Sequence, residues 1–190
     1  MTVAVDDGRW RCFVGVPVGE DLRAVLSAHV AGWRADLDAR WTDRAGWHCS
    51  LRFLGGIEPV VAQRFATALR DALRHEPRFV AATGPLDAFP SRGRARVLFY
   101  AVADPDGALT RLAGAVAMAT GGSLSEAGSG GFRGHVTLAR LRRPQRLTEW
   151  LASHAAPPGR LDVTEACLMR SRLGTGPARY ERISCAPLAA

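Results

Sequence analysis

Two stretches decide the fold, residues 47–54, WHCSLRFL, and residues 135–141, HVTLARL. Both alternate polar and apolar residues in the manner of β-strands. Each has a histidine at its first or second position, followed two residues later by a hydroxyl residue. Because side chains alternate along a strand, His48 and Ser50 share one face of the first strand, and His135 and Thr137 share one face of the second. The repeat predicts two equivalent strands that each present an imidazole and a hydroxyl to a common cleft.

The elements around these strands occur twice in the same order, strand-helix-strand-helix-strand. The duplication predicts an α+β fold, a single domain over residues 1–190, with two lobes from approximately 10–90 and 94–186 related by a pseudo-twofold axis. Each lobe is expected to be an antiparallel sheet with helices on its outer face, and the active-site cleft to lie between the lobes. Besides the two deciding strands, the predicted strands are 10–18, 78–89, 96–102, 161–170 and 178–186, and the predicted helices are 20–39, 59–76, 106–119 and 146–154.

The charge of the chain restricts its chemistry. All 25 basic residues are arginines, against 18 acidic residues, so the net charge is +7. The absence of lysine excludes the Walker A phosphate loop, Schiff-base catalysis and a lysyl-nucleotide intermediate. The positive charge favours anionic partners such as RNA or nucleotides.

The remaining composition indicates a cytoplasmic protein without a metal site. The four cysteines show no metal-type spacing, and without a secretory signal they are expected to be free, buried thiols. No uncharged run approaches the roughly 20 apolar residues of a membrane span. We expect no membrane association, a cytoplasmic location and a monomer, because a bilobal chain with its own cleft needs no partner.

The paired histidines suit phosphate chemistry. One imidazole can accept a proton from water while the other donates a proton to a leaving alkoxide, and the two hydroxyls would hold phosphoryl oxygens. Arg52 and Arg140 follow the two histidines, and a guanidinium matches the charge that develops on phosphorus. This scheme requires neither a metal nor a cofactor. Cys49 is a poor nucleophile candidate, because neighbours in a strand point to opposite faces and His48 cannot activate it.

The sequence resembles the two-histidine phosphoesterases, and among them the LigT-like RNA 2′,3′-cyclic phosphodiesterases. The resemblance implies hydrolysis of a 2′,3′-cyclic phosphate, on an RNA end or a nucleoside, to a 2′-phosphate without a metal. It assigns His48 as the proton donor and His135 as the proton acceptor. The segments that carry it span nearly the whole chain: 11–18 RCFVGVPV, 47–56 WHCSLRFLGG, 86–102 LDAFPSRGRARVLFYAV, 132–142 FRGHVTLARLR and 171–183 SRLGTGPARYERI.

The resemblance also assigns two residues that simple alternation does not. It places a phosphate-contacting arginine at Arg140, five residues after His135, where strict alternation would point the side chain away from the cleft. A bulge or strand end must therefore intervene. Phe53 occupies the equivalent position after His48, so the same irregularity would bring its ring to the site, where a base could stack.

Two other functions fit the sequence. The first is 2′-5′ ligation of RNA, which would be the reverse of the same reaction. The second is a basic RNA-binding module whose histidines only contact phosphate. Two further features are consistent with either an RNA role or a structural one, namely the glycine-rich connector 121–131 and the basic strip Arg92, Arg94 and Arg96.

Overall fold

The computed structural model describes residues 8–123, 131–172 and 178–190. Parts of the glycine-rich connector and of the segment 171–183 lie outside these ranges. The strands are β1 (Trp10–Pro17), β2 (Ala39–Trp41), β3 (His48–Ile57), β4 (Phe79–Phe89), β5 (Ala95–Val102), β6 (His135–Gln145), β7 (Arg160–Val163), β8 (Glu165–Arg172) and β9 (Arg179–Pro187), and the helices are α1 (Glu20–Trp33), α2 (Pro59–Leu73), α3 (Ala108–Ala119) and α4 (Thr148–Ser153).

The strands form one curled antiparallel sheet in the order β7-β4-β5-β6-β3-β1-β8-β9, with β2 added beside β6. The two histidine strands, β6 and β3, meet at its centre and join the lobes through the pair Cys49 and Val136. The expected α+β fold is confirmed. The lobes exchange strands, because β4 from the first half of the chain pairs with β5, and β8 from the second half pairs with β1. The lobes therefore do not coincide with the halves 10–90 and 94–186.

The core lies on one face of this sheet. Helices α1, α2 and α3 bury their apolar sides there, against every second residue of the central strands. Leu26 of α1, Leu69 of α2 and Leu112 of α3 are buried in the same cluster as Cys49 and Val136. The opposite face of β3 and β6 carries the histidines, so the helices support the candidate site from behind.

The structure differs from the predicted elements between residues 33 and 41. Helix α1 ends at Trp33 instead of Ala39, because Leu37 turns into a second apolar cluster with Leu98 and Leu141. The residues that follow form β2, a strand too short to show a pattern in the sequence. Near the end of the chain, the predicted strand 161–170 is two strands, β7 and β8, which pair with different neighbours.

Cysteine pairing is a second difference. Cys167 and Cys185 lie opposite each other in the β8–β9 register and form a disulfide. The prediction of four free thiols is wrong for this pair, because residues 18 positions apart are brought together only by the pairing of the strands. Cys12 and Cys49 are free and buried, as expected.

No helix among the described residues is long and apolar enough to cross a bilayer.

Candidate active site

The two histidines lie on the same face of the sheet. Cys49 and Val136 are register partners, and both side chains are buried on the core side. The residues that flank each of them therefore point to the other face. Continuing this register places His48 opposite Thr137 and His135 opposite Ser50, all four half-buried. The imidazoles occupy one diagonal of this arrangement and the hydroxyls the other.

The same backbone contact anchors both imidazoles. Nδ1 of His48 lies 2.7 Å from the carbonyl oxygen of Gly46, and Nδ1 of His135 lies 2.7 Å from that of Arg133. Because a carbonyl only accepts, each Nδ1 carries a proton and donates it two residues back along the chain. The other ring nitrogen, Nε2, is then unprotonated in the neutral ring. Each histidine thus presents a fixed nitrogen lone pair, as a proton acceptor needs.

Aromatic rings hold each imidazole in place, and they come from different strands. Gly46 allows one of these contacts, because a Cβ there would lie 2.8 Å from the Tyr180 ring. The ring neighbours are Phe13 (stacked, centroids 4.5 Å) and Tyr180 (edge-on, 4.9 Å) for His48, and Phe89 (edge-on, 5.0 Å) and Phe99 (edge-on, 5.3 Å) for His135.

Burial keeps both imidazoles neutral. For His48, burial lowers the pKa to about 4; the hydrogen bond to Gly46 opposes this, and the charges of His135 and Arg140 add to it. For His135, burial and the charges of Arg133 and Arg140 lower the pKa. At neutral pH the site therefore holds two neutral bases beside a cation. A bound phosphate would supply the negative charge that favours protonating one of them.

The low pKa of His48 makes stability depend on pH. The folded protein binds this proton only near pH 4, whereas an unfolded histidine binds it near 6.5. Stability is therefore fully present above pH 6.5 and falls as the pH drops towards 4, by about 3 kcal/mol from this group. We expect urea unfolding of His48→Gln to lose much of this slope, while exposed His29→Gln keeps it. Equal slopes in both variants would contradict the assignment.

Bulges in β3 and β6 bring Phe53 and Arg140 to the histidine face. In β6, Phe99 pairs with Thr137 and Val97 with Arg140, which leaves one extra residue in β6 between the two pairs. Arg140 therefore returns to the face of Thr137. Strand β3 has an equivalent irregularity, after which Phe53 pairs with Phe13, and their rings stack 6.5 Å apart. The Phe53 ring is 55% exposed, and the guanidinium of Arg11 lies over it, 4.8 Å from the ring centroid. A planar ligand would stack on this ring beside Arg11 or in its place.

Arg52 is not brought to the histidines, which corrects its assignment to the site. The bulge in β3 pairs Arg52 with Val14, whose side chain is buried in the core on the helix side. The guanidinium donates from Nη1 to the carbonyl oxygen of Ala117, 2.7 Å away at the end of α3. The Arg52 guanidinium also lies against Gly122. A Cβ atom at position 122 would overlap the guanidinium, so the glycine leaves room for it. A cation that binds the last carbonyls of a helix has a structural role there.

Asp87 is a site-supporting residue that sequence patterns did not reveal. Its carboxylate is buried and accepts from Arg133 Nη2 at 2.6 Å and from Arg92 Nε at 2.8 Å. Burial raises its pKa, but hydrogen bonds from both arginines and from the Ala88 amide outweigh this and lower it to about 2. Arg133 is also the residue whose carbonyl anchors His135. Part of the predicted basic strip, Arg92, therefore serves a buried ion pair.

The cysteines near the site offer no evident reactive thiolate. Burial raises the pKa of Cys49 to about 12, and its side chain faces the core, as alternation predicts. Within the described ranges, one group of side chains has metal-like proximity, namely Glu165, Cys167 and Cys185. Two of its three ligand atoms are the disulfide sulfurs, so the group does not offer a pair of thiolates.

Comparison with known proteins gives a consistent result. A family model described as the 2′-5′ RNA ligase superfamily matches residues 22–175. No match was found among curated proteins.

Three solved structures, which represent two proteins, show the same fold. The structure of TT0787 of Thermus thermophilus is 24% identical, covers 94% of this chain and 97% of its own, and has a TM-score of 0.75. The structure of E. coli LigT complexed with phosphate is 20% identical, covers 97% of this chain and 100% of its own, and has a TM-score of 0.68. A further LigT structure, complexed with 3′-AMP, is 22% identical over 96% of this chain and 99% of its own, with a TM-score of 0.70.

Proposed function

Because the chain belongs to the 2′-5′ RNA ligase superfamily of phosphoesterases, we propose that it hydrolyses RNA 2′,3′-cyclic phosphate ends to 2′-phosphomonoesters. General acid and base catalysis by His48 and His135 would drive the reaction. The observation that carries this proposal is the matched pair of anchored imidazoles, each with Nδ1 on a carbonyl two residues back and Nε2 unprotonated. E. coli LigT is known in complexes with phosphate and with 3′-AMP, which supports a phosphoryl ligand here.

In this mechanism, Nε2 of His135 takes a proton from water as the water oxygen attacks phosphorus. The bond between phosphorus and O3′ breaks, and protonated His48 gives its proton to O3′, so the phosphate remains on O2′. His48 must gain this proton when substrate binds, because its pKa in the free protein is about 4. The negative charge of the phosphate favours that gain. The assignment of donor and acceptor follows the family resemblance.

The hydroxyls and Arg140 would stabilise the reacting phosphate. Ser50 and Thr137 are on the imidazole face and can donate to the two non-bridging oxygens. Arg140 reaches the same face through the bulge in β6, and its charge influences both histidines. It would oppose the negative charge that grows on phosphorus in the transition state.

Phe53 would bind the base of the terminal nucleotide. Its ring stacks on Phe13, which stacks on His48, so it extends a row of rings outward from the reacting centre. We expect Phe53→Ala to raise KM about tenfold with kcat nearly unchanged, since base stacking on an aromatic ring is worth about 1–3 kcal/mol. Steady-state kinetics on an adenosine-ended substrate measure this, with Phe53→Trp as the variant that keeps the stacking surface. A fall in kcat alone would contradict the assignment.

The direct test is hydrolysis of an RNA oligomer that ends in a 2′,3′-cyclic phosphate, with EDTA present, resolving 2′-phosphate from 3′-phosphate products. We expect the 2′-phosphate alone. If oligomers and cyclic mononucleotides are both inert, this function is wrong, and a non-catalytic RNA-binding module becomes the better explanation of the basic surface.

Ligation is the second candidate, because the matching family is described by that activity. It would join a 2′,3′-cyclic phosphate end to the 5′-hydroxyl of another RNA. This step does not reverse the proton transfers above but changes the nucleophile: the 5′-hydroxyl attacks phosphorus in place of water and gives its proton to His135, the P–O3′ bond breaks, and O3′ takes a proton from His48. Hydrolysis is favoured in dilute RNA, because water far exceeds the competing hydroxyl and the strained ester opens downhill. Incubation with a large excess of 5′-hydroxyl RNA would reveal a 2′-5′ product if ligation also occurs.

A further inference from the structure

Strand β2 brings a second arginine beside Arg140. Strand β3 pairs with only the start of β6, and β2 occupies the same edge of β6 further along. The register pairs Arg40 with Arg140. Directly opposite residues in an antiparallel pair point to the same face. The flanking Ala139 and Leu141 are buried on the core side, so both arginines point to the histidine face.

This cross-strand pair has unbalanced charge. Both arginines are exposed, and like charges directly opposite each other destabilise a sheet. Among the residues that the structure describes, no carboxylate forms an ion pair with either guanidinium. The next arginine on this face of β6, Arg142, does have such a partner, since its Nε lies 3.1 Å from Asp38. The location of the unbalanced pair, next to the catalytic histidines, points to an anionic ligand.

One phosphate does not balance the pair. A 2′,3′-cyclic phosphate carries a single negative charge, which Arg140 alone would match. Arg40 lies on the neighbouring strand β2, whose backbone is about 4.8 Å from that of β6. With Arg140 matched to the cyclic phosphate, Arg40 would be left with an uncompensated charge. An RNA chain supplies a second negative charge in the phosphodiester that precedes its terminal nucleotide.

We propose that Arg40 binds the phosphodiester between the terminal nucleotide and the one before it. The inference rests on the proposed function and deepens it, because it makes oligonucleotide ends better substrates than free nucleoside cyclic phosphates. Arg40 is then a specificity-determining residue. It adds binding energy that a mononucleotide without this linkage does not use.

The test compares two substrates, adenosine 2′,3′-cyclic phosphate and the dinucleotide ApA ending in a 2′,3′-cyclic phosphate. We expect kcat/KM of the unchanged protein to be about tenfold higher for the dinucleotide, as one charge-assisted contact allows. Arg40→Gln should abolish that preference and leave the mononucleotide rate unchanged. A dinucleotide with an uncharged methylphosphonate linkage should behave like the mononucleotide. Arg142→Gln is the matched control, because it removes an equal charge that Asp38 already pairs, and it should keep the preference.

A second readout does not depend on turnover. Binding of ApA ending in a 2′-phosphate, measured against salt concentration, should lose about 0.7 from its log–log salt slope in Arg40→Gln, the value for one phosphate contact on a single strand. An unchanged slope, or an equal loss of kcat/KM on both substrates, would overturn the proposal. If neither substrate reacts but the slope still falls, the hydrolase function fails while the phosphate contact of Arg40 stands.

Discussion

Alanine at His135 is expected to lower the rate of cyclic phosphate hydrolysis by about 10²- to 10⁴-fold, the usual contribution of a general base. The imidazole is anchored through Nδ1 to Arg133 and packed against two phenylalanine rings. The other anchored imidazole of the site, His48, is assigned to the leaving group and does not replace this base. His48→Ala should lose a similar amount for the leaving-group proton. Single-turnover rates on an RNA oligomer with a cyclic phosphate end, at saturating enzyme, separate this loss from weaker binding.

Two controls decide what such a loss means. His154→Ala removes a histidine that stacks on Trp150, in a separate ring cluster with Trp33, and it should keep the full rate. The double variant of His48 and His135 should lose little more than either single variant, because residues that act as a unit are not additive. Rates within about threefold of the unchanged protein in both single variants would exclude acid and base catalysis by this pair.

Local pattern was sufficient to predict the histidine strands. Alternation alone puts Cys49 and Val136 in the core, and this places His48 and His135 on the other face. The bulge that returns Arg140 to that face was foreseen only because the family resemblance required it. The same reasoning placed Phe53 on that face. Arg52 was expected near the histidines from its position in the strand, but one extra residue in β3 moves its side chain to the opposite face.

Long-range pairing could not be predicted from local pattern. Strand β2 has three residues, and its place beside β6 depends on where β3 leaves that edge. The arginine pair, the Cys167–Cys185 disulfide and the ion pairs of Asp87 all join segments that are distant in the sequence or carry no periodic signal. These long-range contacts supply most of the structure around the two histidines that local sequence pattern does not predict.

Asp87→Asn should have a large effect on stability although Asp87 is not one of the reacting groups. The carboxylate accepts from Arg92, Arg133 and the Ala88 amide. An asparagine amide would turn an N–H group towards one of the guanidinium donors, so a buried hydrogen bond is lost and two cations lose their counter-charge. We expect the free energy of unfolding to fall by about 2–4 kcal/mol. Urea unfolding measures this, and Asp38→Asn is the matched control because its ion pair with Arg142 is exposed and worth at most about 1 kcal/mol.

The same substitution should change catalysis in a way that lost stability does not explain. Asp87 neutralises Arg133, whose guanidinium lies 4.9 Å from the Phe99 ring beside His135 and whose charge already lowers the pKa of that histidine. Without Asp87 that charge is unopposed, so the pKa of His135 should fall further. The limb of the kcat/KM profile that reports His135 should then move to lower pH, while a weaker base reduces the plateau. A plateau that falls with no movement of the limb would mean that Asp87 supports the fold near His135 without adjusting its basicity.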